Sequence, residues 1–224
     1  MNRTNITTSI IIIITLAITI FYYPQLPDPM ATHWNSAGQP DGSMSRFWGA
    51  SLMPIVLLGM LLLFMIIPKI DPLKNNIAKF RKHFDRFIIL MFLFMMAMQI
   101  LVIAWNTGHK VNFNRIMPVM MAILLFYIGV MVSHAKRNWF IGIRTPWTLS
   151  SDTVWDKTHK LGAKLFYATA VLALIGAFTP PPYPMYFILI PVLTTTAIVL
   201  VYSYTEFQKE QKKEKTGKKT KKKK

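Results

Sequence analysis

Cysteine is absent from the 224 residues. No disulfide can therefore staple the loops, and thiolate nucleophiles and cysteine-ligated metals are excluded. Acidic residues are scarce as well: nine Asp and Glu stand against 26 Lys and Arg, a formal charge of +17. All charged residues together make 16% of the chain, where a soluble domain carries about a quarter. With 53% hydrophobic residues, too little polar surface remains to coat a soluble globule. The chain belongs in a membrane.

What is there in excess is apolar sequence, arranged in blocks rather than stripes. A helix needs roughly 18 or more such residues to cross about 30 Å of hydrocarbon. Six blocks qualify, approximately Ile6 to Tyr23, Phe47 to Ile67, Phe87 to Trp105, Ile116 to Val132, Leu161 to Phe178 and Tyr183 to Tyr204. The expected fold is an all-α integral membrane protein of six transmembrane helices, multi-pass in the cell membrane. The segment "YYPQLPDPMATH" after the first block offers no A-x-A-like cleavage site, so that block reads as a retained span. Lys and Arg are kept on the cytoplasmic side of short loops. Placing both termini in the cytoplasm puts 23 of the 26 basic residues inside and leaves Arg46, Lys110 and Arg115 outside.

The expected organisation is an N-terminal two-helix module with a structured outer loop over 1–70 and a four-helix module over 71–206. A disordered Lys-rich tail follows over 207–224, because "FQKEQKKEKTGKKTKKKK" is too polar to pack. A basic tether beside a bilayer meets anionic headgroups first, which favours lipid over nucleic acid as its partner. Pro54 and Pro118 are expected in the opening turn of their spans, where a missing N–H costs nothing, and Pro191 deeper in its own.

Two polar segments are candidates for function. In the outer loop, "QPDG" at Gln39 to Gly42 fits a type I turn, and His33, Asn35 and Asp41 form a candidate site. One histidine with one or two carboxylates matches no metal pattern, so neither a metal nor a cofactor is expected. The second is "KRNWFIGIRTPWTLSSDTVWDKTHK", Lys136 to Lys160. Ser150 or Ser151 caps a helix that begins near Ser151, with Asp152 in its first turn. Trp155, His159 and Gly162 share a face of it, and Asp156 is spaced to pair with Lys160. Arg137 and Arg144, among Trp139, Phe140 and Trp147, suit a membrane-surface element with arginines turned toward phosphate.

The run from Asn138 to Phe166 resembles the signature of SdpI-like membrane proteins, "N-x-x-x-G-[IV]-R-[TV]-x-[WY]-[TA]" followed by a helix bearing "VW" and "[TN]H". Asn138, Gly142, Ile143, Arg144, Thr145, Trp147, Thr148, Val154, Trp155, Thr158 and His159 carry it. The outer loop is similar to a small uncharacterised module that often precedes this signature, at Leu26, Pro27, His33, Trp34, Asn35, Gly38, Pro40 and Asp41. The resemblance implies a membrane immunity or resistance protein, with an antimicrobial peptide as partner and signalling through the cytoplasmic loop to a regulator. The candidate functional surface is then Asn138, Gly142, Arg144, Thr145, Pro146, Trp147, Thr148, Trp155 and His159. A multi-pass transporter or sensor is the alternative, although spans nearly free of central charge argue against ion or substrate coordination. His159 with Asp156, or His33 with Asp41, lacks a nucleophile or metal partner, so an enzyme is not expected.

Overall fold

The structure is a computed structural model that describes residues 3–221. Each apolar block forms a helix, since in hydrocarbon a backbone must satisfy its own hydrogen bonds. The long helices are α1 (Arg3–Tyr22), α2 (Arg46–Ile70), α4 (Arg81–Asn106), α5 (Phe113–His134), α7 (Asp152–Gly176) and α8 (Tyr183–Lys221). Short helices α3 (Lys74–Lys79) and α6 (Pro146–Ser150) lie in the connections. Five of the long helices, all but α7, are long and apolar enough to cross a membrane. Helix α7 has the length, but Asp152, Asp156, Lys157, Lys160 and Lys164 occupy its first half. The chain is a multi-pass, predominantly helical membrane protein whose lipid-facing side chains, such as Ile13, Leu62 and Leu193, are exposed on the helix surfaces.

Helix α1 packs chiefly on α4 and α2, while α7 lies between α5 and α8; α4 and α5 join the two groups. In α1 the buried face is a threonine stripe, Thr4, Thr8, Thr15 and Thr19, with Ile11 and Ile12. The hydroxyls of Thr8, Thr15 and Thr19 donate to carbonyls four residues back, which satisfies them without a partner helix. Small side chains there let α4 approach closely. Gln99 of α4, 2% exposed, donates from Nε2 to Thr19 Oγ1 at 3.1 Å and to the Ala50 carbonyl at 2.9 Å. One amide thus ties three helices together. The main apolar core sits toward the other end of the bundle, around Leu57, Phe80, Phe84, Phe92, Val132 and Trp155.

Three features depart from the sequence reading. The fold is not purely helical: β1 (Met30–Trp34) and β2 (Pro40–Met44) form an antiparallel hairpin between α1 and α2. Its turn is Asn35 to Gln39 and not "QPDG", because Asn35 Oδ1 accepts the amides of Ala37 and Gln39 and Gly38 takes a φ of +76°. Pro40 can then open β2. Pro54 and Pro118 lie inside α2 and α5 and not in their opening turns, since those helices begin at Arg46 and Phe113, two or more turns before Pro54 and more than one turn before Pro118. Helix α8 continues past Tyr204 to Lys221, where an unstructured tail is expected from residue 207. Lys, Glu and Gln are good helix formers, and Glu206 pairs with Lys209 and with Lys157 of α7. Lys222 to Lys224 lie outside the described residues.

Candidate functional site

The segment between α5 and α7 is a polar loop folded around its own side chains. Asn138 is fully buried at its centre. Its Nδ2 donates to the carbonyls of Lys136 and Ile141, and its Oδ1 accepts the amides of Phe140 and Ile141. Those four bonds use every donor and acceptor of the side-chain amide. Gly142 follows with a φ of +110°, and a Cβ there would stand 2.5 Å from His159 Nε2. Glycine is required on both counts.

Thr145 then caps α6. Its hydroxyl accepts the Thr148 amide while the Thr148 hydroxyl accepts the Thr145 amide, a reciprocal capping box. The Thr145 hydroxyl also donates to Ser203 Oγ at 3.1 Å, which fastens the turn to α8. Pro146 occupies the first turn of α6, and the Trp147 ring meets Tyr204 edge to face at 5.1 Å. Ser151 caps α7 by accepting the Val154 amide, at one of the two positions expected.

Trp155 and His159 lie beneath this loop, 0% and 2% exposed. Trp155 Nε1 donates to the Ala135 carbonyl at 2.9 Å, and His159 Nε2 accepts the Ile143 amide at 3.0 Å. The stacked pair, with ring centroids 4.0 Å apart, therefore grips the entry and the exit of the loop. His159 Nδ1 lies 2.9 Å from the Trp155 carbonyl, so the network assigns a neutral ring protonated at Nδ1. Burial agrees with that assignment, pushing the His159 pKa down to about 4. Gly162 completes the face, since a Cβ there would meet Ile143 Cδ1 at 2.3 Å.

The charges are arranged for internal pairing. Arg137 binds Asp152 through Nε at 2.7 Å and the Leu149 carbonyl through Nη1. Asp156 pairs with Lys136 at 3.2 Å where the helical spacing suggests Lys160. Arg144 donates from Nη1 to the Trp139 carbonyl and is otherwise exposed. Of the nine candidate residues, Arg144 and Pro146 face outward and Trp147 is half-buried. Asn138, Thr145, Thr148, Trp155 and His159 are buried, and Gly142 lies between them and the surface.

Two residues of this assembly escaped the sequence reading. Asp71, 2% exposed after α2, accepts the Trp139 amide with Oδ2 at 2.9 Å and the Leu73 amide with Oδ1. Asn76 of α3 donates to the Arg137 carbonyl at 2.9 Å. The connection between α2 and α4 is thereby bolted to the loop. No local pattern marks either residue, because the partners lie more than sixty positions away.

At the opposite end, the hairpin brings His33 and Asp41 together, with Nδ1 and Oδ1 2.5 Å apart and both side chains substantially exposed. Asn35 is spent on the turn. Asn106 at the end of α4 accepts the Ala31 amide and donates to the Ala31 carbonyl, both at 2.8 Å, so α4 holds β1 as a neighbouring strand would. Trp34 packs on Phe113 at 4.2 Å between centroids and on Trp105 at 5.7 Å.

Residues 134–203 match the model of the SdpI/YfhL protein family, and residues 10–58 match a domain of unknown function, DUF1648. The second match lies on the N-terminal side of the first. It is 26% identical over 207 residues to the immunity protein SdpI of Bacillus subtilis (strain 168), an alignment covering 92% of this chain and 97% of that relative. No solved structure matches it.

Proposed function

We propose that the protein is a membrane immunity protein that protects its cell by binding or neutralising an antimicrobial peptide, met from outside or within the bilayer. The observation that carries this reading is the alignment with an immunity protein over nearly the full length of both chains. Composition supports the same class, since the only polar residues buried in α1, α2 and α4 among those described are the threonines and Gln99, and Thr8, Thr15, Thr19 and Gln99 bond to one another or to backbone. The test is a killing assay of cells with and without the gene against candidate secreted peptides. Protection conferred by the gene is the expected result, and equal killing of both strains by every peptide would overturn it.

The topology proposed with it has six spans and both termini in the cytoplasm. Support comes from one end of the bundle, where Asp71 after α2, Ala135 after α5, the start of α7 and Ser203 of α8 all meet. That meeting needs α7 to cross antiparallel to α8. With 23 of 26 basic residues on this side, the end faces the cytoplasm. Single cysteines at Ser43 and Ser151 are expected to react with an impermeant thiol reagent from opposite faces. In this arrangement the Arg144 and Trp147 face is the surface offered to a cytoplasmic regulator.

A further inference from the structure

A groove of about 590 Å³ lies between α4, α5 and α7 and opens sideways from the bundle. Its walls are apolar, with Leu90 and Leu93 from α4, Ile123 and Phe126 from α5, and Val171 and Leu174 from α7. At one end stands a single charge, Arg86. Along α4 the groove runs from Arg86 to Leu93, about 10 Å of helix at 1.5 Å per residue. Arg86 lies near the start of α4, the end at which the His83 and His134 rings stack, so it sits at the membrane boundary and the apolar walls extend into hydrocarbon.

Arg86 differs from neighbouring arginines. Arg81 is paired with Asp85 and Arg137 with Asp152, whereas Arg86 is exposed and has no acidic partner among the described residues. Lys82, one turn earlier on the same face, is exposed as well. Beside Arg86, Tyr127 lines the groove with its hydroxyl turned away from solvent and interacting with the guanidinium. A guanidinium with no acidic partner among the described residues stands at the mouth of an apolar slot at lipid depth, with the Lys82 ammonium one turn beyond it.

We propose that this groove is a binding site for an anionic phospholipid, with an acyl chain along the α4, α5 and α7 walls and the phosphate on Arg86, behind which Tyr127 stands. Depth selects a lipid chain over any soluble ligand, and the basic mouth selects an anionic headgroup. The guanidinium fork can grip two phosphate oxygens at once. A chain seated there fills the seam where α4 meets α5, the link between the two helix groups. The site is independent of what the protein protects against.

The test uses the full chain purified in detergent and titrated with dioleoyl phosphatidylglycerol or dioleoyl phosphatidylcholine, with adducts counted by native mass spectrometry. The wild type is expected to retain one phosphatidylglycerol per chain, about tenfold more tightly than phosphatidylcholine, as loss of a charge-assisted bond implies. Arg86→Gln is expected to erase the preference, and Val171→Trp, which fills the groove from its exposed wall, to weaken both lipids. Equal retention of the two lipids by the wild type, which requires no variant, would overturn the proposal. So would an unchanged preference in Arg86→Gln, or a dimer without lipid adducts, which would assign the groove to a second copy of the chain.

Discussion

The hairpin and the Asn138 to His159 segment are the two polar ends of a greasy bundle, and each is fixed by an asparagine that hydrogen-bonds to backbone. They differ in what they do with their ionisable and aromatic groups. The hairpin leaves His33 and Asp41 in the open and buries only Met30 fully, with Trp34 half-covered. The other segment hides an indole, an imidazole and an asparagine amide, and ties in Asp71 from a distant connection. Most of the residues that define the recurring motif are therefore spent on holding the loop in one shape. What the motif presents outward is narrow: Arg144, Pro146 and part of Trp147.

The largest test of that contrast is Trp155→Ala. It removes a fully buried indole and leaves the Ala135 carbonyl unpaired, at a cost of about 3–5 kcal/mol. Thermal unfolding in detergent and the level of protein in membranes should both fall sharply. Trp34→Ala at the hairpin, where the ring is half-covered, should cost clearly less. Equal losses would erase the distinction between the two ends.

Acid should weaken the same end selectively. The neutral His159 ring accepts the Ile143 amide, so protonation breaks that bond inside the fold. The folded pKa of about 4 lies below the unfolded value near 6.5, hence the unfolded chain binds the extra proton more readily. Stability is full above about pH 6.5 and falls as pH drops toward 4, by roughly 3 kcal/mol in all. Hydrogen exchange at the Ile143 amide is the readout. Its protection should decline over that window in the wild type, while amides of the α1 and α4 interface hold.

How much of this was legible in the sequence differs with range. Five of the six expected spans were, because a run of apolar residues needs no partner to announce a membrane helix, whereas the charged first half of α7 blurs that signal. The Ser151 cap and the clustering of Trp155, His159 and Gly162 were legible too, since cap and helical spacing are local. The hairpin was hidden: "PDGSM" holds a proline and a glycine, both poor strand residues, and it becomes a strand only because β1 and Asn106 hold its neighbour. Asp71 and Asn76 were hidden for the same reason, as each acts on a loop that is near only after folding. The pairing of Asp156 with Lys136 shows that a local rule yields when a tertiary partner reaches first.

Gly142→Ala should fall in the middle of the series, at about 1–3 kcal/mol. The added methyl meets both a positive φ and the His159 ring. Limited proteolysis between Trp139 and Thr148 should accelerate while the hairpin stays resistant. By contrast, Asp41→Asn at the exposed pair should shift stability by no more than about 1 kcal/mol, since surface ion pairs contribute that little. A larger loss would mean that the hairpin end, like the opposite one, depends on its ionisable groups.

The smallest expected change in stability, and the most telling in function, is Arg144→Lys. Arg144 makes one hydrogen bond, to the Trp139 carbonyl, and is otherwise exposed, so replacement by lysine should leave unfolding within about 0.5 kcal/mol of wild type. Lysine also keeps the charge that general attraction to anionic lipid requires. It loses the planar fork that holds a carboxylate or phosphate in two places. If the outward face of the loop is where a regulator or a headgroup is recognised, Arg144→Lys should abolish protection in the killing assay while the protein accumulates in the membrane at normal levels. Full protection by that variant would remove Arg144 from the functional surface and leave the loop as a brace joining α2, α5, α7 and α8.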